Sequence, residues 1–312
     1  MNYSLIDIGS NSIRLTVYEL NGTAFKPLFH SKIMAGLAGY VEKDKLSKDG
    51  IKVAKEALLE FKRTLEALHM EQVSVFATAS LRNIENTKKV VRILNETTGF
   101  SIKIIDEQDE ALLSYQGAKL GLPEITGGAL IDVGGASTEI ISFADNTPLN
   151  ITSYPLGSLN LYKKCVRKIL PGEATIQEIS KTIDHVLEHH ADFSFQPSTP
   201  LVCVGGTARA LLKIARKVYD LPDTCNTLSK KQMEELFQLL SNNKKKTIRL
   251  ILRMAPDRIH TLVPGLCIIM RILHLYHSEK IVISSYGIRE GFLCKEIIPS
   301  NTTTTSSLKT EK

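Results

Sequence analysis

The sequence lacks the features of a disulfide-stapled or membrane-spanning protein. Its five cysteines are odd in number, scattered, and without a C-x-x-C pair. No basic segment followed by an apolar stretch opens the chain, and no apolar run approaches the ~20 residues that span a bilayer. We therefore expect reduced, mostly buried thiols in a cytoplasmic protein that has no membrane partner.

Two further absences narrow the chemistry. None of the glycine-rich segments has the lysine of a Walker A loop, and the histidines show no metal-ligand spacing. The excess of 39 Lys and Arg over 33 Asp and Glu is mild, so charge does not indicate a nucleic-acid partner, although it suits a polyanionic ligand. The run Lys244-Lys245-Lys246 fits a solvated loop or helix start, or a contact with a long polyanion.

What the sequence does contain is an α/β pattern that begins twice. With 312 residues and 43% apolar content, the chain can bury the cores of two domains. Each half begins with three predicted strands and continues with alternating helices and strands, which predicts mixed sheets. The strands are predicted at 3–8, 12–20, 25–33, 73–77, 102–105, 128–133, 138–143, 149–154, 201–204 and 281–284. The helices are predicted from Ser47 as N-cap, after Asn86, through about 119, and at 158–169, 176–191, from 207, 229–241, 245–254, 257–278 and 288–297.

An Asp-x-Gly turn followed by hydroxyl residues occurs in both halves. The first copy runs from Asp7 through Gly9, Ser10, Asn11 and Ser12, and the second from Asp132 through Gly134, Gly135, Ser137 and Thr138. A strand ending in Asp before a glycine turn can hold a metal ion and bind phosphate oxygens. One copy alone favours an ordinary hairpin turn; the repeat favours two halves of a phosphate-binding cradle.

Two more segments extend this pattern. Glu139 should face the same side of its strand as Ser137, where it either joins Asp132 at a cation or is a solvated strand charge. Gly205 and Gly206 lie between a strand and a helix, where backbone amides attract phosphate. The alternative there is a tight connection with Thr207 as the helix N-cap.

The first half also offers an arginine and a cluster of acids. Arg82 follows a strand and can donate paired hydrogen bonds to a terminal phosphate, although arginine is usually a surface residue. Residues 106–110 read Asp-Glu-Gln-Asp-Glu at a helix start, where the helix dipole favours acids and Asp106 can be the N-cap. A carboxylate there is also suited to align water, and the pattern does not say which one does.

Taken together, these segments resemble the exopolyphosphatase / guanosine pentaphosphate phosphohydrolase (Ppx/GppA) family. They occur in the family's order and cover nearly the whole chain. The matching segments are residues 7–14, 80–82, 109–111, 132–139, 205–207, 263–265 and 284–291.

The resemblance implies a fold and its division along the chain. The fold is α/β, with two ribonuclease-H-like domains of the actin-like and sugar-kinase-like superfamily and an active site in the cleft between domains. The domains are expected at 1–125 and 126–299, followed by a disordered polar tail at 300–312. The chain resembles the short, two-domain members.

The resemblance also assigns roles to residues. Glu110 matches the catalytic glutamate and Arg82 the arginine that contacts the terminal phosphate. Asp132 and Glu139 match the acidic pair associated with a metal and the catalytic water, and Asp7 joins them as a predicted ligand of Mg²⁺ or another divalent cation. The phosphate-binding set is Gly9, Ser10, Asn11, Ser12, Gly134, Gly135, Ser137, Thr138, Gly205, Gly206 and Thr207. Two departures are Asp109, where the family has Glu, and Ala136, where many members have a third glycine.

The implied reaction is metal-dependent hydrolysis of the terminal phosphoanhydride of inorganic polyphosphate, releasing orthophosphate. Guanosine pentaphosphate is the alternative substrate, because the motifs do not separate the two. A kinase is disfavoured because no acceptor pocket is identified, and a non-catalytic actin-like nucleotide module is disfavoured by Glu110 with Arg82. A homodimer is left open.

Overall fold

The chain forms two compact units, and the first of them also contains a segment that follows the second unit in sequence. The computed structural model describes residues 1–189, 200–242 and 244–298. One unit contains Met1–Gly117 together with the segment from Ile288 onward, and the other contains Ala118–Gly287. The predicted disordered tail at 300–312 lies outside the described residues. None of the described helices is both long enough and apolar enough to cross a membrane.

The first unit is built on a five-stranded mixed sheet. Its order is β3-β2-β1-β6-β7, in which β1, β2 and β3 pair antiparallel while β1, β6 and β7 are parallel. Residues 15–18 of β2 are all buried, with Leu15 in one apolar cluster and Tyr18 in another, which matches a strand inside the sheet. The strands are β1 (Asn2–Ile8), β2 (Ile13–Asn21), β3 (Ala24–Ile33), the short hairpin β4 (Val41–Glu42) and β5 (Lys45–Leu46), β6 (Val73–Ala77) and β7 (Ile102–Ile104).

Helices cover this sheet through apolar faces. The side chain of Ser47 accepts from the amide of Gly50, which confirms it as the predicted N-cap of the first helix. Ala54, Leu58 and Phe61 of that helix are fully buried in the core. The helices are α1 (Lys48–Ala67), α2 (Ala79–Arg82), α3 (Thr87–Thr98) and α4 (Glu107–Gly121), the last of which runs into the second unit.

The segment after Gly287 returns to the first unit. Helix α11 (Ile288–Phe292) continues into a π-helical turn at Leu293–Ile297. Together they match the helix predicted at 288–297. Phe292 stacks on Phe76 with ring centroids 4.8 Å apart. The sequence-based division assigns these residues to the second domain; the structure packs them in the first, because their apolar side chains complete its second core cluster.

The second unit repeats the sheet order with one added strand. Its order is β10-β9-β8-β11-β13-β12, in which β8, β11 and β13 are parallel and the other pairings antiparallel. The first three strands of each half are thus an antiparallel meander that leads into parallel strands, which confirms the predicted mixed sheets. The strands are β8 (Gly128–Val133), β9 (Thr138–Ala144), β10 (Thr147–Tyr154), β11 (Leu201–Val204), β12 (Thr227–Ser229) and β13 (Lys280–Ile283).

Helices of the second unit enclose the largest apolar cluster of the described chain. The nearly all-apolar α10 lies at its centre, with buried residues on every side of the helix. The predicted helix at 257–278 starts later than expected, because a 3₁₀ turn (Pro256–Arg258) occupies its first residues and α10 begins only at Leu262. The helices are α5 (Ser158–Cys165), α6 (Glu173–His189), α7 (Gly205–Tyr219), α8 (Lys230–Ser241), α9 (Lys245–Met254) and α10 (Leu262–Leu275).

Candidate active site

The first Asp-x-Gly segment is a hairpin turn whose hydroxyls are withdrawn from solvent. The amide of Gly9 donates to the carbonyl of Ser12 at 3.1 Å, which closes the turn between β1 and β2. Ser10 and Ser12 are each only 6% exposed. The hairpin interpretation is therefore correct, and it does not exclude a ligand-binding role, because the same turn gathers amides and hydroxyls.

The second segment has the same backbone geometry. Here the amide of Gly134 donates to the carbonyl of Ser137 at 2.9 Å. The amides of Ser158 and Leu159, at the start of α5, donate to the carbonyls of Gly134 and Gly135. These hydrogen bonds hold the carbonyl groups of the turn against the start of α5. The backbone conformation of the turn is therefore set before any ligand binds.

Asp132 and Glu139 are direct cross-strand partners in β8 and β9. Such partners lie with Cβ atoms about 5 Å apart on one face of the sheet. Glu139 is 2% exposed and accepts a hydrogen bond from Ser153 at 3.0 Å, so it is not a solvated strand charge. Two neighbouring carboxylates repel each other in a buried setting unless a cation or proton lies between them.

Gly205 begins α7 directly beside Asp132. Its backbone has φ +87°, and a Cβ there would lie 2.6 Å from Oδ1 of Asp132. Only glycine therefore allows this helix N-terminus and this carboxylate to lie so close together. Helix α7 begins at Gly205 with Val204 as N-cap, so the alternative of Thr207 as N-cap is wrong.

The paired carboxylates of Asp132 and Glu139 are suited to Mg²⁺. No group of three or more His, Cys, Asp or Glu side chains with metal-ligand geometry occurs in the described ranges. Mg²⁺ does not require one, because it usually binds through one or two carboxylates, several waters and substrate phosphates. Asp132 and Glu139 supply such a pair, next to helix amides that favour phosphate. Asp7 is the second-last residue of β1, as Asp132 is of β8, and stays a predicted ligand.

Arg82 and Glu110 form a close ion pair within the first unit. Nη1 of Arg82 lies 2.6 Å from Oε2 of Glu110, and their side chains are 12% and 14% exposed. The same nitrogen donates to the carbonyl of Ile105 at 3.0 Å. Arg82 is therefore not the ordinary surface arginine that was the alternative. Its buried Nη2 forms no hydrogen bond with the described residues and lies 3.7 Å from Oε1 of Glu107.

The acids around Glu110 have structural roles. Asp106 accepts from the amide of Asp109 at 2.7 Å, as expected for an N-cap of α4. Oδ1 of Asp109 lies 2.8 Å from Nζ of Lys295, and this hydrogen bond is the main cause of the raised pKa of Lys295. Glu110 thus differs from its neighbours, because it alone of these acids pairs closely with Arg82.

The hydroxyl groups of two predicted phosphate-binding residues are buried inside the protein. Thr138 is fully buried and its hydroxyl donates to the carbonyl of Leu156. Thr207 is also fully buried, packed so closely that a Cβ on Gly265 would lie 2.7 Å from its methyl group. Any contact of these two residues with phosphate is therefore expected through their backbone amides.

One partly buried arginine near the first Asp-x-Gly segment was not among the predicted site residues. Arg289 donates to Oγ1 of Thr16 at 2.8 Å, and the adjacent Glu290 accepts from the Tyr18 hydroxyl at 2.7 Å. Burial lowers the pKa of Arg289, but Glu290, Tyr18 and Asp7 outweigh it and raise the pKa above its ordinary value. The charges of Arg289 and Asp7 therefore attract each other. In the sequence, only its place in the segment 284–291 pointed to this arginine.

Comparisons with known proteins identify the family of the chain. A model of the Ppx/GppA phosphatase family matches residues 16–298. The chain is 26% identical over 303 residues to a guanosine-5'-triphosphate,3'-diphosphate pyrophosphatase of Vibrio parahaemolyticus, covering 93% of this chain and 58% of that protein. It is 22% identical over 304 residues to Exopolyphosphatase 1 of Mycobacterium tuberculosis, covering 95% and 88%. The chain thus spans little more than half the length of the Vibrio protein.

The solved structures show the same fold. An exopolyphosphatase from Cytophaga hutchinsonii superimposes with a TM-score of 0.83 at 22% identity, covering 96% of this chain and 98% of that one. The likeness extends through both units, and the predicted two-domain α/β fold is confirmed. The family match over nearly the whole chain then decides the assignment. The chain belongs to the Ppx/GppA phosphatase family.

Proposed function

We propose that the protein hydrolyses the terminal phosphoanhydride bond of inorganic polyphosphate and releases orthophosphate. As a member of its family it is a phosphoanhydride hydrolase. The observation that carries the proposal is the ion pair of Arg82 and Glu110, in which a carboxylate and a guanidinium are held together away from bulk water.

In the proposed reaction Glu110 aligns a water molecule and accepts its proton. The water oxygen forms a bond to the terminal phosphorus, and the anhydride P–O bond breaks, leaving a chain one phosphate shorter. Arg82 offsets the negative charge on the transferred phosphoryl group. Opposite charges ~4 Å apart are worth roughly 4 kcal/mol at an effective dielectric of 20, or about a thousandfold in rate.

The glycine segments bind the phosphates. The amides of the Gly9, Gly134 and Gly205 segments suit anionic oxygens, and the α7 N-terminus adds its dipole. When bound, Mg²⁺ would neutralise phosphate charge, and Asp132 with Glu139 would hold it. Ser153 holds the Glu139 carboxylate in place through its 3.0 Å hydrogen bond.

The substitution Glu110→Gln tests the role of the base. It keeps the size of the side chain but removes the proton acceptor, so we expect phosphate release to fall by about 10²–10⁴-fold. Phosphate release from polyphosphate in the presence of Mg²⁺ is the measurement, with circular dichroism to verify folding. Glu107→Gln is the matched control, because that acid is exposed and lies 3.7 Å from Arg82. A folded Glu110→Gln protein with wild-type turnover contradicts the proposal.

Guanosine pentaphosphate is the second candidate substrate, favoured by the name of the Vibrio relative. It also ends in a phosphoanhydride. Phosphate release from polyphosphate, guanosine pentaphosphate and ATP should be compared at equal enzyme concentration. A higher kcat/KM with guanosine pentaphosphate would favour it, and binding without turnover of any of the three would favour a non-catalytic nucleotide module.

A further inference from the structure

Helix α9 carries a basic surface that the proposed chemistry does not use. We define the basic face as Lys245, Lys246, Arg249 and Arg253, all of which are exposed. The helix contains no acidic residue. Within the described part of the chain, none of the four cations forms an ion pair.

The four cations share one side of the helix. Lys245, Arg249 and Arg253 are spaced four residues apart, and Lys246 precedes Arg249 by three, so neighbouring charges lie next to each other. Like charges at these spacings destabilise a helix. A bound polyanion would remove that repulsion and release its own counterions.

The opposite side of α9 is occupied by the protein core. Thr247 and Ile251 are buried, and Ile248, Leu250 and Met254 pack against the second unit's apolar cluster. A helix that binds a membrane surface needs its apolar face for the lipid. Because Leu252 alone of the apolar residues of α9 is exposed, the basic face suits a hydrated polyanion better than a bilayer.

The basic face belongs to the same unit as the Gly205-Gly206 segment. Helix α9 packs against α7, whose first residue is Gly205. The 15 residues of α7 span about 22 Å, so the contact with α9 lies no further than that from the segment along the helix axis. In the proposed function the phosphate-binding segments hold the few phosphates of tripolyphosphate, whereas a long chain has further phosphates that can reach the basic face.

We propose that the basic face binds the distal part of a polyphosphate chain whose terminal phosphate is hydrolysed, and so gives preference to long chains. This inference rests on the proposed function. It adds a binding surface outside the phosphate-binding segments and names the long polyanion as the ligand.

The triple variant K246Q/R249Q/R253Q tests it. With long-chain polyphosphate we expect KM to rise about tenfold and the slope of log KM against log salt to fall by about 2, since each lost phosphate contact removes roughly 0.7 from that slope. With tripolyphosphate both kcat and KM should equal the wild-type values. Unchanged tripolyphosphate kinetics also show that the variant is folded.

Two control variants separate position from charge. The charge-retaining variant K246R/R249K/R253K should behave as wild type with both substrates. Substituting Gln for Lys48, Lys52 and Arg63, exposed cations of α1, removes the same charge elsewhere and should leave the long-chain KM within about twofold.

Three outcomes would overturn the inference. In the first, the triple variant keeps the wild-type KM for long chains. In the second, KM rises equally for tripolyphosphate, which would place the effect at the catalytic site. In the third, the α1 variant shows the same rise, which would make it an effect of net charge. If the wild-type enzyme releases no phosphate from either substrate, the proposed function fails first and the inference fails with it.

Discussion

At the scale of single residues, the two halves differ in charge at one equivalent position. Asp7 pairs with Arg14 across β1 and β2, and Asp132 pairs with Glu139 across β8 and β9, each partner seven residues further on. The first pair is attractive and the second repulsive. This difference is the reason for proposing Asp132 and Glu139 as the main metal ligands, with Asp7 as a further predicted ligand.

Gly205→Ala is the sharpest residue-scale prediction. The added Cβ would lie 2.6 Å from Oδ1 of Asp132, and the positive φ of this residue disfavours alanine by itself. Asp132 must then move, so we expect kcat to fall by about a hundredfold and the Mg²⁺ concentration for half-maximal activity to rise. Isothermal titration of Mg²⁺ onto the protein gives a readout besides activity.

Gly172→Ala provides the control for this substitution. It lies in the same unit, and an added Cβ would meet nothing within 4 Å. We expect wild-type kinetics and Mg²⁺ binding for that variant. Wild-type Mg²⁺ binding by Gly205→Ala would show that Asp132 does not hold the ion.

At the scale of elements, local signals predicted most of the fold. Ser47 before an amphipathic run predicted the start of α1, and the turn at Gly9-Ser10 between two strand-like runs predicted β1 and β2, because these signals depend only on neighbouring residues. The hairpin β4–β5 and strand β12 were missed, since two or three residues carry no periodic pattern. The pairing of Arg82 with Glu110 was also missed, because it joins elements 28 positions apart.

The capping box of α8 offers a prediction at this scale. The Ser229 side chain accepts from the amide of Gln232, and the Gln232 side chain accepts from the amide of Ser229. Ser229→Ala removes one of these bonds and should lower the free energy of unfolding by about 1 kcal/mol. Urea denaturation measures this, and Ser229→Asp, which keeps an acceptor, should lose much less. Equal losses in both variants would argue against capping as the cause.

At the scale of the whole molecule, residues 288–298 complete the first unit although they follow the second unit in sequence. Tyr3, Leu5, Phe76 and Leu113 share a buried cluster with Phe292 and the residues that follow it. A Cβ on Gly291 would lie 1.9 Å from the carbonyl of Leu113, so α11 and α4 are in close backbone contact. Sequence reasoning predicted this helix but not its unit, because helical periodicity shows which face is buried and not what buries it.

The substitution Phe292→Ala tests whether residues 288–298 stabilise the first unit. Phe292 is 3% exposed and stacked on Phe76, so the substitution should cost about 3–5 kcal/mol through lost burial and the cavity left behind. Phe292→Leu retains most of the volume and should cost about 1–2 kcal/mol. Hydrogen exchange of backbone amides should quicken in β1 and β6, which belong to the first unit, and stay unchanged in β8 and β11. Equal acceleration in all four strands would mean that the two units unfold together; no acceleration in β1 and β6 would mean that the segment from Ile288 contributes nothing to the first unit's stability.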